Sequence, residues 1–206
     1  MSRANESPET RIDVLRHGEP VGGRRYRGQI DDPLSDKGWQ QMRRAVVDRD
    51  DWDLIWSSPL KRCADFAREL ATARDLALTL DARLMEIGFG EWEGKTADEI
   101  RATDPERLDR FWRDPVGNRP ARAELLEHFR ARVLSVWQDI LLRHAGRRIL
   151  IVGHAGITRM VVSLILDSPI ENMFRIQVGN ASLTRVRVRS AGTQIFSSLV
   201  FHGQES

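Results

Sequence analysis

Three short apolar runs in this chain stop in the same way, and that recurrence limits its fold more than any other feature. Ile12 to Leu15 halts at Arg16-His17-Gly18, Asp53 to Trp56 leads into Ser57-Ser58-Pro59-Leu60-Lys61-Arg62, and Ile149 to Val152 gives way to Gly153-His154-Ala155-Gly156. Compact apolar runs closed by glycine, proline or charge read as buried strands. Leu76 to Leu80 is a weaker fourth strand. Between them lie helical patterns. Ser35 can cap a helix carrying Trp39, Met42, Ala45 and Val46 on one face, and Ser58 before Pro59 reads as the start of a second helix, to about Ala73. Thr96 to Glu99 has capping-box spacing, and Asp104-Pro105 opens a short helix ending near Arg113. From Glu124 to His144 apolar residues recur at three and four, the strongest helical signal in the chain, and a further helix runs through Met160 to Leu166. Leu183 to Arg189 and Gln194 to Phe201 form a hairpin around Ala191-Gly192.

Strands alternating with helices predict a layered α/β fold with a mostly parallel sheet, edged by the terminal hairpin. The 206 residues, 41% apolar and 30% charged, suit one domain over residues 11–206, preceded by a loose polar arm at residues 1–10. Lys and Arg number 32 against 30 Asp and Glu, a net charge of +2, so global charge does not argue for nucleic acid. Cys63 is the single cysteine, which excludes an intrachain disulfide and a multi-cysteine zinc cage. With no apolar leader and no run long enough to cross a bilayer, a cytoplasmic protein without membrane or nucleic-acid partners is expected.

In open α/β sheets ligands bind beyond the carboxyl ends of the strands, so Arg16, His17, Arg62 and His154 can converge although far apart in sequence. Two histidines, two arginines and helix N-termini suit a phosphate. Cationic neighbours should hold His17 neutral, and a neutral imidazole is a nucleophile.

These segments, with Glu86 ahead of Phe89-Gly90-Glu91-Trp92-Glu93-Gly94, resemble the histidine phosphatase superfamily, the phosphoglycerate mutase-like proteins, in order from about Ile12 to Thr184. Within it, Arg16 to Gly38 and Ala102 to Val133 are most similar to α-ribazole phosphatase-like proteins. The resemblance implies a three-layer α/β/α sandwich and a phosphomonoesterase acting through phosphohistidine, with no metal or cofactor. It assigns His17 as phosphate acceptor, Arg16, Arg62 and His154 as the clamp on the phosphoryl oxygens, and Glu86 as general acid and then base. Gly18, Arg25, Gln29 and Ala155 join Arg16, Arg62 and His154 as substrate-binding candidates. The expected partner is a small phosphorylated substrate, α-ribazole 5′-phosphate first, with a homodimer as the candidate assembly. The alternatives are a phosphomutase or broad sugar phosphatase and, in another class, a catalytically silent phosphate-binding scaffold.

Departures from the superfamily pattern are specific. Pro20 and Gly23 stand where Thr and Asn are usual, Arg122 and Ala123 replace a pair of glycines, and Ala155 follows His154 in place of glycine. The last change requires a position that does not need positive φ. His128, His144 and His202 read as ordinary structural histidines, and the six tryptophans as packing. Gly90 to Thr96 only imitates a phosphate-binding loop, with three residues between its glycines where four are required.

Overall fold

The computed structural model describes residues 9–49, 51–191 and 194–204. Residues 1–8 of the expected arm and Gly192 of the expected hairpin turn lie outside them. The strands are β1 (Thr10–Arg16), β2 (Leu54–Ser57), β3 (Ala77–Leu80), β4 (Arg148–Gly153), β5 (Leu183–Ala191) and β6 (Gln194–Gln204). The helices are α1 (Asp36–Val46), α2 (Lys61–Arg74), α3 (Ala97–Thr103), α4 (Arg107–Arg113), α5 (Leu126–Arg143) and α6 (Ala155–Ile165), with short 3-10 turns at Ala82–Leu84, Gly90–Trp92 and Ile170–Arg175. They build one six-stranded sheet in the order β3-β2-β4-β1-β5-β6. β1 to β4 run parallel, and β5 and β6 add the antiparallel edge. Thr10, placed in the arm from sequence, instead opens β1, where its hydroxyl accepts from Gly146 N at 2.8 Å.

The strand side chains alternate between two cores, as the pleat requires. Ile12, Val14, Trp56, Ile149 and Ile151 face α5 and α6 and pack with Phe129, Val133, Ile140 and Ile157. Leu15, Ile55, Leu150 and Val152 face the other way and pack with Met42 of α1 and Cys63, Phe66 and Leu70 of α2. Helices on both faces explain why β1 and β4 read as continuous apolar runs. Asp13 breaks that run as a paired charge, which offsets part of its desolvation: Arg185 on β5 grips its carboxylate at 2.7 and 2.8 Å, and the Trp52 indole donates at 2.8 Å. A third, smaller cluster of Trp92, Ile100, Leu108 and Phe111 carries α3 and α4 as a cap beside the sheet.

Register positions the site. Leu15 stands opposite Val152, and Val152 opposite Ser57, so three strands end at one level. The next backbone groups continue the ladder, His17 N to Gly153 O at 2.9 Å and Ser58 N to Val152 O at 3.0 Å. Two start signals are corrected. α2 begins at Lys61 with Leu60 at the N-cap and no side-chain cap, because the Ser58 hydroxyl is turned to His154 and bonds Leu60 N only at 3.3 Å. The carboxylate of Asp31, thirty residues upstream, accepts from Lys61 N at 2.6 Å instead. α4 likewise starts at Arg107, after Asp104 has turned the chain by accepting from Glu106 N. Among the described residues no helix is long and apolar enough to cross a membrane.

Candidate active site

His17 and His154 follow neighbouring strands at the same level, and their rings meet edge to face with centroids 5.2 Å apart. Both are buried, at 5% and 0% exposure. Nδ1 of His17 lies 2.7 Å from the carbonyl of Gly18. A carbonyl only accepts, so Nδ1 carries the proton and Nε2 presents its lone pair. Burial, then the charges of Arg16 and Arg62, hold His17 well below the ordinary imidazole pKa. Burial followed by Arg62, His17 and Arg16 does the same to His154. His154 Nε2 is fixed by the Ser58 hydroxyl at 2.8 Å, and the Cys63 sulfur packs against the ring at 3.6 and 3.8 Å while its thiol donates to Gly153 O. Burial pushes that thiol far up, so Cys63 is packing rather than nucleophile.

Gly18 is required by contact: a Cβ there would sit 2.3 Å from the carbonyl oxygen of Gly38, where the turn after β1 crosses α1. Ala155 is the first residue of α6 and is absent from the positive-φ set, so alanine in place of glycine is accommodated without strain.

Arg62 is 1% exposed, donating Nη1 to Ile30 O at 2.6 Å and Nη2 to Gly28 O at 2.7 Å. Arg16 is half-buried and donates Nη1 to Val178 O at 2.6 Å, and burial brings its pKa down to about 10. Nε of each is buried without a partner among the described residues. Among the described residues neither guanidinium has a carboxylate within 4.0 Å, whereas Arg27, Arg132 and Arg185 do, in Asp32, Glu124 and Asp13. Cations withdrawn from water with no counter-charge destabilise a fold unless something anionic binds there.

Glu86, 8% exposed, comes from the loop that follows β3. Its Oε1 accepts from the backbone N–H groups of Ile87 and Gly156, both at 3.0 Å, which leaves Oε2 the freer oxygen, 3.3 Å from Gly156 N. The loop is clamped by Arg132 on α5, whose guanidinium reaches the carbonyls of Arg83, Met85 and Glu86 and pairs with Glu124, which in turn holds Gly88 N.

Gln29 is exposed on the rim of an open cleft of about 550 Å³, with Gly88, Gly90, Glu93, Arg122 and Glu124. Its own backbone N–H donates to Glu93. Arg25 does not join the converging groups; Nε and Nη1 are taken up by the carbonyls of Gly22 and Gly94, so it stitches the loop. Arg24, exposed beside it, and Arg27 are the loop arginines whose fields reach Arg16. Trp92 packs with Tyr26 and Phe111 inside the third cluster rather than lining the cleft. Sequence reasoning missed Ser58 as a partner of His154, and Arg132 and Glu124 as the clamp on Glu86. Only Ser58 left a trace, since a serine at a strand exit has polar uses other than capping.

The chain matches the histidine phosphatase superfamily (branch 1) over residues 12–198, nearly its whole length. It belongs to that superfamily. Among relatives of this histidine phosphatase family member, a bifunctional protein of Mycobacterium tuberculosis is 33% identical over 85% of this chain and 49% of its own length. The chain therefore spans about half the length of the first curated relatives it matches. Glucosyl-3-phosphoglycerate phosphatase of Mycolicibacterium vanbaalenii is 31% identical, covering 84% of this chain and 81% of the relative. Among solved structures, native mycobacterial glucosyl-3-phosphoglycerate phosphatase superposes with a TM-score of 0.85 at 27% identity, covering 96% of this chain and 100% of that one. The α-ribazole phosphatase of Shigella flexneri gives 0.78 at 25% identity, covering 94% and 96%.

Proposed function

We propose that this chain hydrolyses small phosphomonoesters by passing the phosphoryl group first to Nε2 of His17 and then to water. The single observation behind this reading is a buried imidazole with a bare Nε2 beside guanidinium groups that have no carboxylate partner among the described residues. In the first step the Nε2 lone pair forms a bond to phosphorus as the ester P–O bond breaks, and protonated Glu86 gives its proton to the departing alkoxide. In the second, ionised Glu86 takes a proton from water, the water oxygen bonds to phosphorus, and the P–N bond breaks. Inorganic phosphate leaves, and His17 and Glu86 return to their starting states. Arg16, Arg62 and His154 stabilise the charge on the equatorial oxygens, the part played by a divalent cation in other phosphoryl-transfer enzymes.

The substrate class is a small phosphorylated metabolite. α-Ribazole 5′-phosphate, suggested by residues 16–38 and 102–133, stands beside phosphoserine and glucosyl-3-phosphoglycerate, the esters in the names of relatives. The test is phosphate release from an ester panel that scores isomer formation as well, with alkaline quenching to trap label on protein. Histidine-bound phosphate survives base and is lost in acid. His17→Ala is expected to lose turnover by on the order of 10³-fold or more and to trap no label. Full activity in that variant, label on a serine or aspartate, or isomerisation without phosphate release overturns the reading.

A further inference from the structure

Arg159 is unexplained by the chemistry above. It lies on α6, one helical turn after Ala155 and next to the Gly156 that holds Glu86. It is half-buried, and its Nε donates to Ile176 O at 2.9 Å. Its guanidinium stands 5.8 Å from the Phe174 ring. Among the described residues no carboxylate lies within 4.0 Å of it, and its Nη groups have no acceptor.

The anchor of Arg159 fixes where it sits relative to the phosphate clamp. Arg16 donates to Val178 O, Arg159 to Ile176 O, and the carbonyl between them, Gln177 O, faces the opposite way to His202 on β6. Alternating carbonyls mean that residues 176–178 are extended, so the acceptors of the two arginines lie on one side of the segment, about 7 Å apart along it. The two cations thus stand next to each other along one rail. The charge of Arg159 is felt by Arg16 and by the phenol of Tyr26, and the charge of Glu86 is felt by Arg159.

Resting on the phosphatase reading, we infer that Arg159 binds a second anionic oxygen group of the substrate, a carboxylate or a second phosphate carried on the leaving moiety, because its anchor lies about 7 Å along the segment from that of Arg16. Esters with three to five chain atoms between phosphorus and the centre of the second anionic group bracket that spacing. Tyr26, whose ring packs edge-on against Phe89 and Trp92, feels the charges of Arg101, Arg24 and Arg159. A plain phosphomonoester would leave the Arg159 charge unanswered, which gives the site a physical basis for discrimination.

Three esters, each with a primary alkoxide as leaving group, test this: propyl phosphate, 3-(phosphonooxy)propanoate and propane-1,3-diyl bisphosphate. The wild-type protein should show kcat/KM at least tenfold higher for one of the doubly anionic esters than for propyl phosphate, and the carboxylate and bisphosphate arms tell the two ligands apart. Arg159→Met should lower that ratio about tenfold, mainly through KM, and Arg159→Lys should restore part of it. A wild-type ratio near one overturns the inference without any variant needing to fold. So does an Arg159→Met protein in which all three esters lose kcat in equal proportion, since that marks a residue acting only through Glu86 or through packing. Loss of phosphate release from every ester in the wild type would instead sink the phosphatase reading itself.

Discussion

At the scale of single residues, the site depends on which atom of each side chain is left free. His17 spends its Nδ1 proton on Gly18 O and keeps Nε2 bare, and Glu86 ties Oε1 to two N–H groups and keeps Oε2 freer. Glu86→Gln keeps the shape of the carboxyl but cannot give up or take a proton. With alkyl phosphates kcat should fall by ~10²–10⁴-fold while KM changes little. Aryl phosphates, whose leaving oxygens need less protonation, should lose less. A uniform loss across alkyl and aryl esters would show that Glu86 is not the acid. Arg16, His17, Arg62 and His154 were visible in the sequence because each stands at or beyond the end of an apolar strand run, where a charged residue breaks the pattern. Arg159 and Arg132 were not, since an arginine inside an amphipathic helix looks the same whether it faces water or reaches a carbonyl of a distant loop.

At the scale of elements, helix termini and loops hold the acid in place. Gly156 sits in the first turn of α6 with no positive φ, so its constraint is contact alone: an added Cβ would lie 2.1 Å from Glu86 Oε1. Gly156→Ala is therefore expected to fold, to push the carboxyl aside, and to lower kcat by about 10²-fold, as displacement of a reacting group by an ångström does. Thermal melting with steady-state kinetics checks this, and wild-type kcat in a folded variant would refute the placement of Glu86. The capping box at Thr96 and the Ser35 cap follow from local spacing and occur as expected. The Ser58-Pro59 signal does not, because a residue facing His154 across two strands has a stronger use for its hydroxyl than a helix end can offer. Asp31, thirty residues away, serves the helix terminus instead.

At the scale of the whole molecule, burying two imidazoles as neutral groups couples the fold to pH. Their folded pKa values lie well below the ordinary value near 6.5, so as pH falls through about 6.5 the unfolded chain takes up protons that the folded chain does not. Stability is thus full above that pH and declines below it, by about 1.4 kcal/mol per pH unit for each histidine. His144, whose pKa burial also lowers, acts in the same direction. Urea melts at pH 7.5 and 5.5 should differ by about 3 kcal/mol, and His17→Gln should remove about half of the difference. Equal midpoints at the two pH values would show that the imidazoles are not held neutral. The α/β class, the parallel centre and the antiparallel edge were all legible in the chain, because strand burial on two faces and helical periodicity are local consequences of residue type. So were the residues that end the strands. What only the tertiary structure decided is the set of partners: Ser58 with His154, Arg132 with the Glu86 loop, Asp31 with α2, and Arg16 and Arg159 with the carbonyls of Val178 and Ile176. Strand pairing brings together groups separated by dozens of residues, and no local pattern encodes which buried donor will meet which carbonyl.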